Sequence, residues 1–261
     1  MITGRAHLMW LMPGLLAMAL LFVWPIAGLL MLSLDVPAGG SNPYVSVWTE
    51  PLYRRIMANT AVSSFGTTAI CLVIGYPVAY AIYRIASPWR SIVLGAVLFS
   101  YAVGTMPRAI SWIVLLGDRG VVNRTLMQAF DWQQPIQMLY NQSGVLIGMT
   151  HVMLPYMVLT LLGAMARVPP QLVPAARTLG AGPVQAFLHV FLPLTFPGIL
   201  AGVMMVFIFS LGFFVVPAVL GGAQQTTVVM ILRDLTLGLG RWGIGSALSV
   251  SVIIVCIVGT A

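Results

Sequence analysis

Lysine is absent from all 261 residues, acidic residues number only five, and charged residues of both signs make up 7% of the chain. Each shortage excludes something. Without a lysine there is no GxxxxGK[ST] phosphate loop, so any use of nucleotide has to pass through a partner. The twelve basic residues are all arginines, scattered singly apart from Arg54-Arg55. They form no run and do not alternate with aromatics, which sets nucleic acid aside. Cys71 and Cys256 both sit in apolar stretches and imply no disulfide framework. No HExxH occurs, and His7, His151 and His189 have no companions at metal-ligand spacing, so no metal or cofactor is expected on this chain.

What remains is apolar. Hydrophobic residues make up 60% of the chain and the mean hydropathy is +1.01, outside the range of soluble domains. At about 20 apolar residues per helical span, the length accommodates five to seven spans with short loops and no soluble catalytic domain. The expected architecture is an all-α membrane protein, one transmembrane domain over residues 1–261. Its six spans are expected at approximately 8–34, 60–83, 91–116, 143–165, 194–220 and 243–261.

Arg5 and His7 precede the first apolar run, which is too long for a cleaved signal peptide and reads as an uncleaved span. The segment from Asp35 to Met57, with Pro37, Gly39, Gly40, Pro43 and Pro51, reads as a polar loop with room for a short surface helix. Asp118 to Gln142, rich in charges and carrying Phe130, Trp132 and Tyr140, suits a short amphipathic helix at an interface. Gly221 to Trp242 reads as a glycine-rich loop, and the last apolar stretch reaches Ala261 without a polar tail, so the chain is expected to continue. Six spans put both termini on one side. Arginine counts do not decide which: five fall on one face of the topology and six on the other.

Residues 167–193 are less apolar and punctuated by Pro169-Pro170, Pro174, Gly180, Gly182-Pro183 and Pro193. Gln171 to Leu179 reads as a short helix that tolerates Pro174 because it falls in the first turn. Gly180 to Pro183 breaks it, and a second short helix leads through Leu192-Pro193 into the fifth span. The result is a helical hook between two spans, with Ala175 and Ala176 small enough for close approach of another surface. An ordinary polar connection fits the same composition.

The spacing Ala175-Ala176, three residues, Gly180, nine residues, Val190, Leu192-Pro193 resembles the EAA loop of permeases in binding-protein-dependent ABC importers. The glutamate of that pattern is replaced by Pro174, which puts one docking contact in doubt. Gly75-Tyr76-Pro77-Val78-Ala79 and the segment from Gly212 to Gly222 resemble motifs of the spermidine/putrescine-type subgroup, and Arg108 falls where the third span of that subgroup carries an arginine. The resemblance implies a type I importer permease fold in the bacterial inner membrane, with both termini and the coupling helix cytoplasmic. It implies a second permease, two ATPase subunits that hold ATP and Mg, and a periplasmic substrate-binding protein as partners. This chain would be a non-catalytic transport subunit. Pro174, Ala175, Ala176, Gly180, Leu192 and Pro193 would couple it to the ATPase, and the solute would be a polyamine or a related amino compound such as an opine or aminophosphonate.

Arg108 is a charge inside an apolar span, which costs several kcal/mol unless it meets a partner or water. Either it lines the path and bonds solute, binding protein or partner subunit, or it snorkels outward or holds the Pro107 kink. Phe209, Phe213, Phe214, Tyr101 and Trp112 offer cation–π surface, and His151 a polar lining group; aromatics in spans more often serve packing, and a lone histidine more often makes an interhelical hydrogen bond. No Asp or Glu lies in any span, so an anionic or zwitterionic solute suits Arg108 better than a pure cation. Two rivals stand further off: a stand-alone secondary transporter or channel lacks its intramembrane ion ligands here, and a membrane-embedded hydrolase lacks its motif.

Overall fold

The computed structural model describes residues 4–36 and 42–260, with side chains over 11–36 and 42–257. The side chains of Arg5 and His7, and the loop residues Pro37, Gly39 and Gly40, lie outside the described residues. Among the described residues there is no strand. In chain order the helices are α1 (Gly4–Met18), α2 (Trp24–Leu34), α3 (Pro43–Thr49), α4 (Pro51–Arg84), α5 (Trp89–Ala102), α6 (Thr105–Leu116) and α7 (Val121–Phe130). They continue as α8 (Gln142–Met165), α9 (Leu172–Thr178), α10 (Pro183–Ala186), α11 (Leu192–Leu211), α12 (Val215–Leu220), α13 (Val228–Arg233) and α14 (Trp242–Thr260). Among the described residues, four continuous apolar helices are long enough to cross a membrane: Leu11–Leu34, Pro51–Arg84, Gln142–Met165 and Pro183–Leu211. The helices α5 and α6 form a bent pair, and α14 is a shorter apolar helix.

Several boundaries depart from the hydropathy. The second span begins at Pro51, taking in Arg54-Arg55, because proline at a first helical position starts a helix readily. The third span is not one helix: its axis turns by 96° between Ala102 and Thr105. Pro107 favours the break, since its ring would collide with the carbonyl of Val103 in a continuous helix and its missing N–H would orphan that carbonyl, although Pro77, Pro155 and Pro197 are accommodated inside continuous helices. Val103 and Gly104 are extended instead, and Pro107 sits in the first turn of α6. Pro217 does the same to the fifth span, which stops at Leu211 and resumes as α12 with the proline in its first turn. At its other end that span starts earlier than expected. Helix runs unbroken from Pro183 through a π turn at Phe187–Phe191, where the amide of Leu192 bonds the carbonyl of Phe187, so Leu192-Pro193 lies inside the helix and not at its entrance. The stretch after Gly221 is largely helical, as α13 and a π turn at Asp234–Gly238.

The chain divides into two compact units, Met1–Arg55 with Met230–Ala261, and Ile56–Val229. In the first, α14 packs on α2 and α3, and Ser33 Oγ meets Tyr44 Oη at 2.8 Å. In the second, α8 is the central helix, buried through Val145, Met149, Met153, Met157, Leu161 and Met165, with α11 lying along it. Close approach rests on small residues: a methyl at Gly198 would overlap the side chain of Ala164, and one at Gly202 would sit 2.9 Å from Met157 Sδ. Asn123, wholly buried, clamps the turn before α7: its side-chain amide donates to Gly117 O at 3.1 Å and Ile136 O at 3.0 Å, and its carbonyl accepts from Ile136 N at 2.9 Å.

Candidate translocation path and coupling loop

Two places on the second unit gather the residues singled out by sequence. The first is the hook. Helix α9 ends in a glycine cap: Gly180 has φ of 92°, its N–H bonds Arg177 O, and Ala181 N–H reaches back to Ala176 O at 3.1 Å. Gly182 N–H then bonds Gln185 Oε1 at 3.1 Å, and Pro183 opens the next helix. Pro174 stands in the first turn of α9, exposed like Ala175, whereas Ala176 is half-buried. Leu179 follows α9 with 89% of its surface exposed, a large apolar side chain that sequence reasoning passed over.

The hook is fastened to the spans by aromatic rings. Phe187 and Phe191 stack on each other and pack edge-on against Tyr80 at 5.1 and 5.3 Å, and Phe191 lies 5.4 Å from Tyr83. One turn earlier on α4, Tyr76 Oη meets Thr195 Oγ1 of α11 at 3.0 Å. Between α4 and α9 a cavity of about 930 Å3 is lined by Arg84, Arg177, Tyr80 and Phe187 among others. The Gly75-Tyr76-Pro77 motif thus supplies, with Tyr80, the surface on which the hook is seated.

The second place is the junction of the broken spans, where α6 packs on both α12 and α8. Arg108 follows the break by four residues, is only 8% exposed, and donates from Nε to Gly104 O at a long 3.4 Å; its Nη1 is buried with no hydrogen-bond partner. His151 and Tyr156, on α8, are within electrostatic reach of the guanidinium. Trp112 Nε1–H, one turn beyond Arg108, donates to His151 Nδ1 at 3.1 Å. Tyr156 holds the edge of Tyr101 at 5.1 Å on one side and that of Phe209 at 5.4 Å on the other, both partly exposed. The structure therefore brings together Arg108, His151, Trp112, Tyr101 and Phe209, with Tyr156 as the linking residue that sequence reasoning missed. Phe213 instead packs against the buried core, and Phe214 stands at the N-cap of α12. The one sequence signal for Tyr156 is its place beside Pro155 on the helix that carries His151.

Apolar helices long enough to span a membrane, two spans broken at a polar and aromatic junction and an exposed helical hook between the fourth and fifth, have the build of a membrane transport subunit. Comparison with known proteins gives the family. Residues 72–261 match the family described as binding-protein-dependent transport system inner membrane component. The spermidine/putrescine transport system permease protein PotB of Haemophilus influenzae is 34% identical over 249 residues, 90% of this chain and 87% of the relative. PhnU of Salmonella typhimurium, named for 2-aminoethylphosphonate transport, is 25% identical over 228 residues, 86% of this chain and 80% of its own. A solved bacterial alginate ABC transporter superposes with a TM-score of 0.79 at 19% identity, over 98% of this chain and 92% of that one. The chain belongs to the binding-protein-dependent permease family: it has the type I importer permease fold and is a multi-pass inner-membrane subunit close to the polyamine permeases.

Proposed function

We propose that this chain is one of two permease halves of an ATP-driven importer for a polyamine or a related amino compound. The observation that carries the reading is the similarity over 90% of the chain to a spermidine/putrescine permease, joined by a relative named for an aminophosphonate. A second permease completes the path, two ATPase subunits hold ATP and Mg, and a periplasmic binding protein delivers solute. The chain itself carries no catalytic step. Both termini and the hook face the cytoplasm.

The exposed Leu179 and Ala175 favour α9 as the docking surface for the ATPase. Pro174, in place of the family glutamate, leaves this contact apolar and shape-driven. Displacement of α9 is felt by Phe187 and Phe191, by Tyr80 and Tyr83 on α4, and through the Tyr76–Thr195 hydrogen bond by α11. Because Leu192-Pro193 lies within a continuous helix, a push on the hook moves α11 as a rod toward its break at Gly212. Solute passes beside Arg108, His151 and Phe209, with Tyr101 and Tyr156 giving ring faces to an ammonium group; Phe213 and Phe214 shape the break from the core side.

The test is to express this chain with the reading frames flanking its gene, purify in mild detergent, and assay uptake in proteoliposomes. A Walker-motif ATPase and a second permease that co-elute, with ATP-dependent uptake of spermidine or 2-aminoethylphosphonate, support the reading. Leu179→Asp then loses the ATPase subunits without loss of the permease. A chain that elutes alone and moves solute without ATP overturns it.

A further inference from the structure

We propose that Arg108 is the receptor for an oxyanion, carboxylate or phosphonate, that this chain does not itself supply, seated where the two broken spans meet. The inference rests on the importer reading above and deepens it by naming a chemical class for the site. A guanidinium has five N–H donors. Here one makes a long bond to Gly104 O, while Nη1 is buried and unpaired. Neither plain structural role accounts for it. A snorkelling arginine keeps its head in the interface, yet Arg108 is 92% buried, the complement of its 8% exposure. An arginine holding the Pro107 kink is engaged through Nε alone.

The counter-charge cannot come from this chain's spans. The sequence has no Asp or Glu between Glu50 and Asp118, nor between Asp131 and Asp234, and these two stretches contain the whole of α4, α5, α6, α8, α11 and α12. The groups around Arg108 are also of one kind. The indole N–H of Trp112 only donates, so His151 accepts at Nδ1 and keeps its ring proton on Nε2, a second donor within electrostatic reach of the guanidinium. The Tyr156 hydroxyl, within electrostatic reach of the guanidinium, is engaged with Tyr101. A cation with a buried unpaired nitrogen and a bond donor at a helix break, with no carboxylate on the spans that form it, make a site for an oxyanion.

Two sources carry that chemistry: the solute's own acid group, as in 2-aminoethylphosphonate, or a carboxylate from the second permease. The experiment is ATP-driven uptake by the reconstituted complex of spermidine, which has no oxyanion, and of 2-aminoethylphosphonate, in wild type, Arg108→Gln and Arg108→Lys. If the oxyanion is the solute's, Arg108→Gln raises KM for 2-aminoethylphosphonate at least tenfold more than it raises KM for spermidine. If it is the partner's, Arg108→Gln lowers kcat for both solutes about equally. Converting one span carboxylate of the second permease to its amide then reproduces that loss and adds nothing to it. Arg108→Lys, retaining the charge without the fork, falls between wild type and Arg108→Gln in either case. Uptake per assembled complex that is the same in Arg108→Gln as in wild type for both solutes overturns the proposal, whether or not the variant assembles in lower yield. A wild-type complex that imports neither solute overturns the importer reading, and the Arg108 assignment falls with it.

Discussion

Trp112 and His151, on α6 and α8, are joined by one hydrogen bond of 3.1 Å between indole Nε1 and imidazole Nδ1, with the rings edge to face at 5.5 Å. The bond fixes the tautomer of the histidine, which lies within electrostatic reach of Arg108. Trp112→Phe keeps most of the ring contact and removes the donor. The variant is expected to lose about 1 kcal/mol of stability and to import solute several-fold more slowly, measured as the melting temperature and uptake rate of the purified complex. Unchanged uptake would show that the histidine's orientation is held by packing alone.

Gly180 carries the turn at the end of α9 with φ of 92° and open space where a side chain would stand. A side chain there is strained by backbone conformation and not by crowding. Gly180→Val is expected to cost about 1–3 kcal/mol locally and to cut uptake more than tenfold, with ATPase activity no longer stimulated by loaded binding protein. Gly180→Asn, whose side chain tolerates the left-handed region better, should retain more activity than the valine variant. Normal coupling in the valine variant would remove this turn from the mechanism.

At the crossing of α8 and α11 the relation between Gly198 and Ala164 is reciprocal, since there is room for one methyl and not two. Gly198→Ala is expected to destabilise by about 1–3 kcal/mol, read as thermal stability in detergent. Adding Ala164→Gly returns the methyl count to one and should recover most of that loss. Additive destabilisation by the pair would mean the two positions do not share the contact.

Asn123 is the buried clamp of the segment before and after α7. Asn123→Ala leaves the carbonyls of Gly117 and Ile136 and the amide of Ile136 without that partner. A loss of about 1–2 kcal/mol is expected from the lost hydrogen bonds of a buried amide, seen as a lower melting temperature and as earlier proteolysis between Asp118 and Gln142. Asn123→Asp retains the acceptor for Ile136 but not the donors, and should fall between the two.

Apolar composition determined that this is a membrane protein, and the order of hydrophobic runs located its helical segments, because lipid leaves a backbone few alternatives to helix. The spacing of Ala175, Ala176, Gly180 and Pro193 identified the hook, and the positive φ at Gly180 was already implied by a glycine ending a short helix. Hydropathy alone could not reveal the breaks, since Val103 and Phe213 are as apolar as their neighbours; Pro107 and Pro217 favour them sterically, but Pro77, Pro155 and Pro197 lie in unbroken helices, so packing decides which proline breaks a span. The same limit hid Tyr156 and Asn123, whose roles depend on partners from distant elements or across a turn. Sequence marked Arg108 as a costly charge. Only the tertiary structure shows it enclosed, with one guanidinium nitrogen unpaired and His151 and Tyr156 of α8 within electrostatic reach, because burial and hydrogen bonding depend on which elements pack together and not on the order of residues along the chain.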